Sequence, residues 1–89
     1  MPAADVDELS EFKKKIETNM ESDLSKIVSI LKVLKTKFVS YEMLVKTKIG
    51  KNISALSTLQ TSKPELESDA STIREISKGI LSLWKEVQN

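Results

Sequence analysis

Few side chains in this sequence are equipped to make or break bonds. Histidine and cysteine are both absent. That removes the commonest general base, the commonest transition-metal ligand and every thiolate. The thirteen carboxylates alternate with lysines on what read as exposed helix faces. A carboxylate-only magnesium site is the one metal arrangement such a composition leaves open. No glycine-rich phosphate loop, nucleophile elbow or metal-ligand spacing is present. The expectation is a protein that is not an enzyme and uses no metal or cofactor. What remains is recognition chemistry, carried by one indole, Trp84, and by fourteen cations of which Arg74 is the sole arginine.

The cations are unevenly placed. Residues 1–25 hold seven acids against three lysines, a balance of −4. Residues 26–63 hold eight lysines against Glu42, a balance of +7, and residues 64–89 hold five acids against three bases. A basic block inside a nearly neutral chain suits an acidic partner, either protein or nucleic acid. The plainer alternative is a solvated lysine face that keeps the domain soluble.

The elements that must position these groups are helices. A chain of 89 residues makes one domain and buries roughly 60–65% of its unfolded surface. Glycine and proline number two each, as in a helical globular domain rather than a disordered chain. No apolar run approaches the roughly 20 residues of a membrane span, and Met1-Pro2-Ala3-Ala4 lacks the basic start and apolar stretch of a signal peptide. Residues 1–6 read as a disordered tail and residues 7–88 as a single domain. Lack of cysteine suits a reducing compartment.

Apolar spacing of three and four predicts the helices. Leu9, Phe12, Ile16 and Met20 make one stripe over about 7–21. Leu24, Ile27, Val28, Leu31 and Leu34 make a second over about 23–36, capped by Ser22 or Asp23, with Ile30 and Val33 widening its apolar arc. The short turn between them implies an antiparallel hairpin. Lys37-Phe38-Val39 reads as an extended connection, and Ser40 as the cap of a short helix 41–48 that buries Leu44 and allows Val45 a place inside. Gly50 either ends that helix in a left-handed turn or lets the backbone pass close to a neighbour. A fourth helix is expected over about 51–59 with Ile53, Leu56 and Leu59 on one side. Residues 60–68 read as a loop, since Pro64 disfavours helix at Lys63. The last helix starts near Asp69, or near Thr72 if Thr72 and Glu75 form a capping box. Its stripe is Ile73, Ile76, Ile80, Leu83, Trp84 and Val87, and Gly79 within it suggests close packing against another helix.

The expected core is therefore Phe12, Ile16, Ile27, Leu31, Leu34, Leu44, Gly50, Ile53, Ile76, Ile80, Leu83 and Trp84. Trp84 sits on the apolar side of its helix and is read as core, contributing several kcal/mol by buried area. Lys46, Lys48 and Lys51 flank Gly50, either as solvated lysines or as a basic rim that draws an acidic peptide to a nearby apolar groove.

The segment from Phe38 to Leu56, FVSYEMLVKTKIGKNISAL, and the closing IREISKGILSLWKEV carry a resemblance. Together with SILKVLKTKFVS before them, they are similar to the N-terminal, leucine–tryptophan domain of transcription elongation factor S-II (TFIIS). The pair Leu83-Trp84 fits the feature for which that domain is named. The same domain occurs in Elongin A, a Mediator subunit and Iws-type factors, and the integrase-binding domain is related. The resemblance implies an all-α, compact right-handed bundle of four to five short helices, located in the nucleus. It further implies a monomeric scaffold that holds disordered peptide motifs of elongation or chromatin factors, acidic with an embedded aromatic. The family's peptide sites lie around inter-helix loops, which points to Met20, Leu24, Leu56 and Leu59 with Lys46, Lys48 and Lys51 as rim. Nucleic-acid binding through the 26–63 lysines is the alternative; few aromatics and a single arginine weigh against it. The chain departs from the family at Phe38, often proline, at Ser57 and Thr58, often basic, and in a longer loop 61–68.

Overall fold

Asp5 begins the fold with its side chain. Its carboxylate accepts the Glu8 backbone N–H at 2.7 Å, satisfying one of the orphan donors of helix α1, Val6–Asn19. The structure is a computed structural model that describes residues 5–20 and 22–88, without the side chains of residues 87 and 88. Of the tail expected over 1–6, residues 1–4 lie outside the described residues, while Asp5 and Val6 form the helix start.

Asp23 caps α2, Leu24–Lys35. It accepts the Ser25 hydroxyl at 2.7 Å and the Lys26 N–H at 3.3 Å. Ser40 caps α3, Tyr41–Thr47, accepting the Met43 N–H at 3.3 Å. Helix α4, Ile49–Leu56, follows after a single residue. A one-turn 3-10 helix at Pro64–Leu66 leads into α5, Glu67–Gln88, with Lys63 extended as the residue before proline. The described residues thus form an all-α bundle of five helices, with a radius of gyration of 12.5 Å. Helix α5 packs most extensively on α2 and then on α4, and α1 lies against α2, α3 and α4. Helix α2 is thus sandwiched between α1 and α5.

The core is one cluster. Ile16, Ile27, Leu31, Leu34, Leu44, Ile53, Ile80 and Trp84 are buried within it, with Phe12 and Ile76 half-buried against it. Leu83 departs from the expected core: it is 44% exposed. Each helical residue turns about 100°, so Leu83 lies well round the helix from Trp84, past the edge of the buried row Ile73, Ser77, Ile80, Trp84. Val33 and Val45 fall outside the core for the same reason and are also exposed. Val39, Ile49 and Ala70 are core residues that the periodicity did not select.

The junction between α3 and α4 corrects the reading of Gly50. The left-handed residue is Lys48, with φ of 56°, and its N–H closes α3 on the Leu44 carbonyl at 2.9 Å. A non-glycine residue there costs about 1–2 kcal/mol. The turn drives Ile49 fully into the core, so α4 starts two residues earlier than its polar start suggested. The buried Thr47 hydroxyl donates to the Met43 carbonyl at 2.8 Å and accepts the Ile49 N–H at 3.4 Å, stitching the two helices together. Gly50 sits inside α4 without a left-handed φ, and a Cβ there would meet nothing within 4 Å. The same open space surrounds Gly79, so neither glycine is required by a close approach. Helix α5 starts at Glu67 rather than at Asp69 or Thr72; Thr72 lies within it and donates to the Ser68 carbonyl. Among the described residues the buried Ser77 hydroxyl has no hydrogen-bond partner.

Candidate peptide-docking site

Two apolar recesses lie at opposite ends of the α2–α5 pair. The first is at the loop end, where the α1–α2 turn meets the segment between α4 and α5. Met20 closes α1, Leu24 opens α2, Leu59 follows α4 and Leu66 ends the 3-10 turn, and together they line a recess of about 220 Å³. Thr61 and Lys63 form its polar edge. Leu24 is buried and forms floor, while Met20, Leu59 and Leu66 are half-buried. The wall is held by Arg74. Its guanidinium donates to the Leu59 carbonyl at 2.7 Å and to Glu67 at 2.7 Å, fastening the segment after α4 onto α5. Next to Leu24 in sequence, at the start of α2, the Ser25 hydroxyl and then the Lys26 N–H hold the Asp23 carboxyl below its ordinary value of 3.8.

The second recess lies at the Trp84 end and is larger and more apolar, about 280 Å³. Leu34, Val39, Ile80 and Trp84 form its floor, and the exposed Phe38 and Leu83 its lips. It carries charges of both signs: Lys35 and Glu86 both line it, and Lys37 is bound to Glu8 at 3.2 Å. Periodicity could not have revealed this recess, because Phe38 reads as connection and Leu83 as core.

The residues proposed from the sequence do not all come together. Met20, Leu24 and Leu59 share the loop-end recess. Leu56 is fully buried and offers no surface. Lys48 and Lys51 stand at the start of α4, the length of that helix away, roughly 12 Å. Lys46 is paired with Glu42 at 3.0 Å. Among the described residues no group of three or more Asp or Glu is placed to hold a metal ion, and no helix is long and apolar enough to cross a membrane.

A family model described as the TFIIS helical bundle-like domain, Med26, matches residues 29–87. That is well over half of the chain, from the middle of α2 to the end of α5, and the chain belongs to this family. It is a transcription-related protein-interaction domain from a non-catalytic family. No curated protein and no solved structure matches the chain.

Proposed function

We propose that this domain is a nuclear docking module of the transcription elongation machinery. It binds short disordered segments of partner factors, each with an aromatic side chain among acidic residues, at the loop-end recess. The observation that carries the reading is convergence. Met20, Leu24, Leu59 and Leu66 come from segments far apart in sequence, yet they surround one recess whose walls are capped and fastened. A preformed apolar recess with a polar edge suits a single anchoring side chain. The partner segment orders as it binds, which lowers affinity per unit of area.

Magnitudes limit what one ring can supply. An aromatic side chain buries about 150–250 Å², worth about 4–6 kcal/mol at 25 cal/mol per Å². Micromolar binding needs about −8 kcal/mol after ordering costs. Contacts beyond the ring are therefore part of the interaction.

The test is an amide NMR titration with acidic, aromatic-containing peptides. Shifts are expected across residues 19–25 and 57–66. Unmoved signals there, combined with shifts on adding duplex DNA, would defeat the reading in favour of nucleic-acid binding.

A further inference from the structure

The loop-end recess continues beyond its own rim. Gln60 and Thr61, which line it, also line a shallow depression with Ser57, Arg74 and Lys78. Lys78 in turn borders the groove between α4 and α5, together with Gly50, Ser54, Leu81 and Lys85. These depressions share lining residues in series, so they form one trough from the recess to the start of α4.

The two sides of the trough differ in chemistry. Gly50, Ser54 and Ser57 follow at steps of four and three, so the α4 side is a row of small residues, and the space over Gly50 is open. Arg74, Lys78 and Lys85 follow at steps of four and seven on the facing edge of α5. Arg74 is engaged with Glu67 and the Leu59 carbonyl. Lys78 and Lys85 have no ion-pair partner among the described residues. Glu67, held by Arg74, is the one carboxylate in the lining; Glu75 does not line the trough, and Glu86 faces the Trp84 end. Two uncommitted ammonium groups thus face the trough, with Leu81 half-buried between them.

We propose that the acidic flank of the docked segment lies extended in this trough, its carboxylates meeting Lys78 and then Lys85. The proposal rests on docking at the loop-end recess. It gives Lys78 and Lys85 the role that the sequence suggested for Lys46, Lys48 and Lys51. Seven helical residues separate Lys78 from Lys85, roughly 10 Å along the axis, which about three extended residues span. From Arg74, beside the recess, to Lys85 is roughly 16 Å, or about five extended residues. The matching segment carries acids about three residues apart, beginning two or three residues from its aromatic. Two lysines and no exposed aromatic along the trough favour an acidic peptide over a nucleic acid, which needs stacking platforms and more cations.

The experiment compares two synthetic peptides by calorimetry and NMR. Each holds one phenylalanine followed, about three residues on, by a run of about four glutamates or, in the second peptide, glutamines. The reverse order is made for both. The glutamate peptide, in at least one order, is expected to bind about tenfold more tightly, roughly 1.4 kcal/mol. The double variant Lys78→Glu, Lys85→Glu should abolish that advantage. Both lysines are exposed, and a thermal melt checks that the variant folds. Equal binding of the two peptides overturns the proposal, as does loss of the advantage in Lys46→Glu, Lys51→Glu instead. Displacement of the glutamate peptide from the trough by a short DNA duplex at lower concentration overturns it too. In each of these cases, shifts at 19–25 and 57–66 with the glutamine peptide keep the docking reading alive. If neither peptide binds, both fall together.

Discussion

The loop end and the Trp84 end of the bundle share the same two long helices but use them differently. At the Trp84 end, α2 and α5 close over a nearly buried indole, and the exposed lips of Phe38 and Leu83 enclose the larger apolar space. Its charges are balanced by Glu8 and Glu86. At the loop end the recess is smaller, but it opens onto a trough with two lysines that have no ion-pair partner among the described residues. If docking occurs at the loop end as proposed, the difference teaches that apolar volume alone does not select the site. An apolar pocket supplies affinity with little direction, while free charge beside it chooses the partner and its orientation.

The largest expected effect tests the Trp84 end as the anchor of the fold. Trp84→Ala should destabilise the domain by about 3–5 kcal/mol, read as a lowered urea midpoint. A loss below about 1 kcal/mol would show that this end is not the anchor. Peptide binding sharpens the contrast next. Met20→Ala should weaken an acidic, aromatic peptide about tenfold, roughly 1.4 kcal/mol, while Leu83→Ala leaves its affinity nearly unchanged. The opposite pattern would move the site to the Trp84 end. The smallest effect concerns pH. Asp23 titrates below its ordinary value of 3.8 because Ser25 and Lys26 donate to it. Its cap therefore supports α2 fully above that value and loses its contribution as pH falls through the lowered folded value. Amides of residues 23–26 should shift in that acid window while Trp84 fluorescence holds steady. A simultaneous change at both ends would indicate global unfolding.

Much of the fold was legible along the chain. Caps at Asp23 and Ser40 and the stripes of α1, α2 and α5 follow from local rules, because one helix face buries side chains at fixed steps. The junction at Lys48 was not legible. A glycine two residues away is the natural left-handed residue, yet the core takes Ile49 and Lys48 bears the strain. Leu83 misled because its neighbour Trp84 belongs to the core and adjacent residues on a helix point about 100° apart. Of the candidate site, Met20, Leu24 and Leu59 came from resemblance and share a recess, while Leu56 proved buried and the lysines of α3 and α4 stand apart from it.

By itself the sequence determined the helical class, the number of main helices, the absence of histidine and cysteine chemistry, and kinship with the TFIIS helical bundle-like domain. Those depend on composition and on contacts between residues three or four apart. Only the tertiary structure decided which lysines border the loop-end recess, where its walls meet and which apolar residues stay exposed. Each of these depends on how helices distant in sequence lie against one another, and that long-range packing has no period within any single helix.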